Sequence, residues 1–464
     1  MTSDPFGEGR QDPSDTPQES GRPAVPRREP PTRPPLAVPL ALTAPRPVVG
    51  ARTRSGPRRA DDRRIAAVAV VAAAGFLVAA MAAALASGLG AAVLSPWLPL
   101  HLALAGGAST AIAGVMPFFV AALAAGEPAP SRLRKAAVGF VAVGAVLVAV
   151  RGIAPDAGWV AAVGGWLYLT GILWLALAVR ASGRRGLMIR RPIVSLGYTL
   201  AIANVAVGGV LGTLFVAGWT PILERWAQLR PAHAWTNLIG FVSLVIVATL
   251  LHFLPTVLGG RIVPRRSATL AVLGIAMGTP VVVLGLILGL APVAGGGASL
   301  VVVGALATAL EAVRVVRGRG RWTTDPGWHR FASVGLLAGV AWFVLGVLGA
   351  TLLLLAHGTT AEAWSTPLLG APLAIGWIAQ VLMASWTHLL PSIGPGGPVQ
   401  HARQRVVLGR VATVRLIGLN GGAALLAVAW PMGLAWAVIA GASLAGAAVL
   451  VTVALTVQAL RAGR

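Results

Sequence analysis

The chain of 464 residues has no cysteine, which removes disulfides, thiolate metal sites, iron–sulfur clusters and covalently attached c-type haem together. Acidic side chains are scarce, 14 in all, and no two stand at a spacing that would serve acid–base chemistry. Neither H-E-x-x-H nor the phosphate-cradling G-x-x-x-x-G-K occurs. No catalytic residue is therefore assigned, and the reading leans away from an enzyme. Lysine occurs once, at Lys135, so arginine carries the net charge of +23. That charge sits in short loops rather than on one continuous face, which argues against a nucleic-acid partner.

What abounds is apolar surface. Hydrophobic residues make up 56% of the chain and charged ones 11%, with a mean hydropathy of +0.79. A soluble domain could not carry this on its surface. Apolar runs of 18 or more residues recur, each long enough to cross a hydrocarbon core of roughly 30 Å as a helix. The runs do not alternate in polarity, as a barrel strand would. Helices remain as the way to satisfy every backbone N–H and C=O in lipid. The expected fold is an all-α integral membrane protein whose main partner is the lipid bilayer.

Residues 1–64 hold 13 prolines, 12 arginines and 8 acidic residues with no apolar period, and are expected to form a disordered cytoplasmic tail. Residues 65–464 are expected to be one polytopic domain. Its apolar segments fall near 65–90, 97–125, 135–153, 157–180, 192–218, 232–259, 267–290, 296–316, 331–356, 367–392, 405–430 and 433–460, about twelve helices. Basic clusters at 132–135, 180–191, 261–266, 314–330 and 403–405 fall in alternate loops. The positive-inside rule puts those loops and both termini in the cytoplasm and the chain in the cell membrane. Trp97, Trp159, Trp219, Trp226, Trp364 and Trp430 fall at the opposite ends, where indole rings favour the headgroup boundary.

An internal repeat organises the domain. The second, sixth and tenth segments close on similar text, around Pro117, Pro255 and Pro391, at intervals of 138 and 136 residues (255 − 117, 391 − 255). Each interval holds four helices, so three pseudo-repeated arcs of four are expected.

Polar groups in lipid are costly unless partnered, so chemistry concentrates on few residues. Histidines form two tiers. His101 and His233, with His357 at a similar level, make an outer one; His252 and His388, each three residues before a repeat proline, make an inner one. Imidazole suits haem iron and copper alike, and two from neighbouring helices suffice for a bis-histidine haem. Arg410 and Arg415 are expected progressively deeper than Arg405 in one eleventh helix. Arg415 there needs an acid, a haem propionate or helix C-terminal carbonyls as partner. Glu311 has Arg314 one turn on as a structural partner, and Asn204, Asn237 and Asn420 suit interhelical hydrogen bonding.

The segments PLHLALAGGASTAIAGVMPFF, AHAWTNLIGFVSLVIVATLLHFLPTVLGGRI and AQVLMASWTHLLPSIGPGGP resemble helices of the membrane domain that actinobacterial copper-oxidase or nitrite-reductase-like proteins carry ahead of a cupredoxin module. More distantly, that domain is similar to the NnrS family and to subunit I of the haem–copper oxidases. The resemblance, over about residues 65–460, implies a twelve-helix, three-arc fold, with His101 as a low-spin haem ligand and His233 near a copper-ligand position. It also implies haem or copper as cofactor, with electron transfer or nitrogen-oxide or copper handling as function. The resemblance further implies a redox or cupredoxin partner protein, the cupredoxin module itself not being expected within residues 65–460. The departures are that Asn237 stands where the oxidases have tyrosine, that 267–290 lacks a histidine pair, and that 367–380 lacks H-x-H. No binuclear oxygen-reducing centre is expected. A cofactor-free transporter or channel, and a non-catalytic scaffold, are the alternatives.

Overall fold

A computed structural model of the chain describes residues 57–88, 94–184, 192–263, 265–319, 327–393 and 396–463. Most of the expected tail, 1–56, and parts of the basic loops, 185–191 and 320–326, lie outside the described residues. Residues 57–64 are the first turns of the first helix, Pro57–Gly88.

All regular structure among the described residues is helical, and twelve helices are long and apolar enough to cross a membrane. The protein is thus a multi-pass helical membrane protein. The first four spans are Arg64–Ser87, Leu98–Leu123, Ser131–Val150 and Gly158–Arg184. The next four are Pro192–Ala217, Trp226–Leu258, Arg266–Leu288 and Ala291–Arg317. The last four are Trp328–His357, Ala361–Ser392, Ala412–Ala429 and Ala435–Ala462. Leucine, alanine and valine satisfy helix formation here because lipid leaves the backbone no other partner.

Glycine sets which spans pair most closely. A Cβ on Gly144 would lie 2.7 Å from the carbonyl of Gly164, one on Gly278 2.6 Å from that of Gly297, and one on Gly422 2.7 Å from that of Gly441. The third and fourth, seventh and eighth, and eleventh and twelfth spans therefore form three hairpins whose backbones touch, the small-residue packing that replaces a hydrophobic drive in lipid.

The second, sixth and tenth spans are the most buried of the twelve. Of their apolar windows 67%, 83% and 67% are buried, against at most 56% in any other span. Each contains a π-helical stretch, Leu102–Ala108, Trp235–Ser243 and Ala371–Ala379, and the three stretches touch one another. A π turn frees carbonyls that an α-helix would use, and side chains take them up. Ser109 Oγ donates to Leu104 O at 3.0 Å and Ser243 Oγ to Leu238 O at 2.8 Å. Tyr168 of the fourth span donates to Ser109 Oγ (2.8 Å), and Trp377 Nε1 of the tenth to Ser243 Oγ (3.0 Å).

The eleventh segment departs from expectation. Rather than one helix over 405–430, a separate helix, Pro398–Leu408, ends before the span Ala412–Ala429 begins. Gly409 sits against the backbone of Gly327 and Trp328, where a Cβ would meet Trp328 N at 2.7 Å, and Val411 is left-handed at φ 45°. That close approach breaks a run whose apolar composition reads as continuous. The tryptophans also divide. Trp159, Trp219, Trp226 and Trp430 are exposed as a headgroup belt requires, whereas Trp364 is only 5% exposed and packs edge-on against Trp235 at 6.1 Å.

Candidate functional site

His101 and His233 come together. His101 ends the first turn of the second span and His233 lies in the first helical stretch of the sixth, each just ahead of a π segment. Their rings are near-parallel, 11° apart, with centroids separated by 6.0 Å.

Both rings are oriented by backbone carbonyls. His101 Nδ1 donates to Trp97 O at 3.0 Å and His233 Nδ1 to Gly208 O at 3.0 Å. A carbonyl can only accept, so His101 carries its proton on Nδ1 and presents Nε2 as a lone pair, whereas His233 Nδ1 lies both against the Gly208 carbonyl and 3.2 Å from the donor Asn237 Nδ2. Neither Nε2 has a hydrogen-bond partner among the described residues. Carbonyls that fix the ring through its second nitrogen are the usual outer shell of a histidine metal ligand.

The fifth span makes the seat for His233. A Cβ on Gly212 would stand 2.8 Å from His233 Cε1, and one on Gly208 would stand 2.3 Å from Asn237 Nδ2. Only a groove without side chains at both positions admits the ring and the amide beside it. Asn237 Nδ2 donates to His233 O at 2.8 Å, closing that turn of helix. In exchange Asn204 of the fifth span presses on Gly240 of the sixth, where a Cβ would lie 2.7 Å from Asn204 Oδ1. Phe215 and Trp97 close the pair edge-on, at 5.8 Å from His233 and 4.8 Å from His101.

The other predicted residues lie elsewhere. His357 is exposed at the end of the ninth span, and no ring contact joins it to the pair among the described residues. His388 meets His329 at 6.5 Å between centroids, and packs with Trp328 and Phe253, each at 5.5 Å. His329, at the head of the ninth span, thus joins His388 on the inner side, with its Nε2 donating to Val257 O at 2.8 Å. Sequence reasoning missed it because it lies outside the repeat text, although the adjoining Trp328 marks a helix head. Among the described residues no group of three or more histidines or carboxylates comes together.

Arg415 is 1% exposed, yet no carboxylate faces it among the described residues. Its guanidinium donates to Leu408 O and to Thr452 Oγ1 (3.4 Å) and lies 3.9 Å over the Phe331 ring. Leu408 ends the separate helix, so a helix C-terminal carbonyl, one of the three expected kinds of partner, accepts from Arg415. Arg405 belongs to that separate helix, Arg410 to the turn and Arg415 to the first turn of the span, which replaces the expected series down a single helix.

The remaining polar groups bind helices together. Glu311 accepts from Ser267 and from Arg314 (3.0 Å), with Arg265 at 3.9 Å. Asn420 Oδ1 accepts from Trp342 Nε1 at 2.9 Å and Gln380 Nε2 at 3.4 Å, tying the ninth, tenth and eleventh spans. Comparison of the chain with protein-family models and with curated proteins finds no match.

Proposed function

We propose that this protein holds one redox metal, a haem iron or a copper ion, between His101 and His233 in the cytoplasmic membrane. It works there in electron transfer, or in nitrogen-oxide or copper handling, with a separate redox or cupredoxin-like partner. The observation that carries this reading is the facing pair itself. Two imidazoles bonded to one ion at about 2 Å each hold their ring centroids about 6 Å apart, and the pair stands at 6.0 Å with nearly parallel planes. Two ligands suit the axial positions of a haem or a two-coordinate copper ion, not the four-ligand closed shell of structural zinc. When bound, the metal supplies the electron. The chain's part is to orient the two rings through the Trp97 and Gly208 carbonyls.

The arrangement proposed is three arcs of four helices, as in subunit I of the haem–copper oxidases, with termini and arginine-rich loops cytoplasmic. Support comes from the π stretches of the second, sixth and tenth spans and from the three glycine hairpins, each recurring every four spans.

Absorption spectroscopy with metal analysis on detergent-purified protein tests the proposal. A haem band, or copper near one equivalent, that disappears in His101→Ala and in His233→Ala is expected. A colourless, metal-free preparation refutes it; solute uptake by reconstituted vesicles that ignores both substitutions would then favour the cofactor-free transporter.

A further inference from the structure

The second, sixth and tenth spans line a cavity of about 90 Å³ between them, with six residues from each helix. The lining is in register. Ile112, Ile246 and Leu382 form one level, and Phe119, Phe253 and Leu389 another, at the same intervals of 134 and 136 residues (246 − 112, 382 − 246). The space opens because one helix is under-filled. The second span supplies Ala108 and Ala111 at the two levels nearest the π stretches, whereas the sixth and tenth supply valine or isoleucine there.

We infer that this cavity is a binding site for a small, neutral, apolar molecule. Water needs two to four polar partners to remain in such a space. Of the two hydroxyls in the lining, Thr249 Oγ1 is already spent, donating to Val245 O (2.7 Å) and lying 2.9 Å from Tyr198 OH. That leaves Ser385, which makes no hydrogen bond among the described residues, as the single polar handle. A cavity of roughly 150 Å³ with aliphatic and aromatic walls stays dry and takes benzene or xenon. The present one is smaller and calls for a ligand of a few heavy atoms with at most one weakly polar end. The three lining spans are buried more deeply than any other, and a lipid or detergent tail in the cavity is an outcome that the test separates. The inference stands independently of any metal at His101 and His233.

Xenon is the probe. Crystals of the wild-type protein pressurised with xenon should show one anomalous peak between Ala111, Val245 and Val381. Ala111→Phe fills the under-packed side and should remove the peak, as should Val115→Phe in case the first variant folds poorly. Ser385→Ala should keep the xenon, which asks nothing of the hydroxyl. The inference is overturned by the absence of a wild-type peak, by ordered water or a detergent tail in its place, or by a peak that persists in both filled variants. None of these outcomes depends on the histidine pair, so the two proposals fail separately.

Discussion

Replacing Arg415 distinguishes a guanidinium that braces a helix break from one that holds an anionic cofactor. Arg415→Met removes the bond to Leu408 O and the contact over Phe331. A hydrogen bond from a charged donor is worth about 1.5–3 kcal/mol, and a desolvated cation–π contact adds about 1–2 kcal/mol. Against that, methionine abolishes a charge whose insertion into a membrane helix costs about 2.5–3.5 kcal/mol. The balance runs from a gain of about 1 to a loss of about 2.5 kcal/mol, centred on a loss just under about 1 kcal/mol. Arg415→Lys keeps the buried charge but loses the planar fork, so it reaches the carbonyl or the Thr452 hydroxyl but not both, and no longer stacks on Phe331. Its expected loss is larger, about 3 kcal/mol. The nominally conservative change should be the worse one. Reversible unfolding in mixed detergent micelles, followed by tryptophan fluorescence, reads the order directly. If lysine is tolerated and methionine is not, a positive charge is being used by an anion that the described side chains do not supply, and the bracing role is wrong.

Four further outcomes follow from the same contacts. Gly212→Ala places a Cβ 2.8 Å from His233 Cε1 and should turn the ring off the Gly208 carbonyl, weakening metal retention about ten- to a hundredfold in chelator competition; unchanged retention would remove the groove from the site. Asn420→Leu strips the acceptor from Trp342 and Gln380 and should cost about 1–2 kcal/mol in the micelle unfolding assay, whereas an unmoved midpoint would mean those bonds carry no stability. Glu311→Gln should cost less than about 1 kcal/mol because Arg314 is partly exposed, and a larger loss would point to a deeper role for the carboxylate. The cysteine-free chain makes orientation simple to read: Asp156→Cys should react with an impermeant maleimide on intact cells and Val263→Cys only after permeabilisation, the reverse pattern being fatal to the positive-inside assignment.

The spans were legible because lipid imposes one requirement on every residue, an internally bonded backbone, and long apolar runs announce it. What hid was set by single close approaches. The break at 409–411 lies in text as apolar as a continuous helix, and only the contact of Gly409 with Gly327 and Trp328 reveals it. The π stretches carry no composition signal of their own. Ser109 and Ser243 mark two of them only once their bonds to the carbonyls five residues back are seen. The histidine pair was legible as two residues early in two repeat helices. The approach of His329 to His388 was not, because it depends on which helix end packs beside His388.

The cavity register also explains why His101 and His233 pair only between the second and sixth spans among the three spans that line the cavity. At an interval of 134 residues His101 corresponds to Trp235, and His233 corresponds to Pro99; at the next interval of 136 the counterparts are Ala371 and Leu369. The two histidines are therefore not copies of one position but occupy levels two residues apart, which on α-helices turning 100° per residue point in different directions from the axis. That offset lets rings on two neighbouring helices face each other instead of both facing the centre. At the junction of the sixth and tenth spans the corresponding level is filled by Trp235 against Trp364, both buried, and an indole nitrogen offers a proton but no lone pair to a metal. Between the sixth and tenth spans two indoles thus meet, where the second and sixth spans bring two imidazoles together.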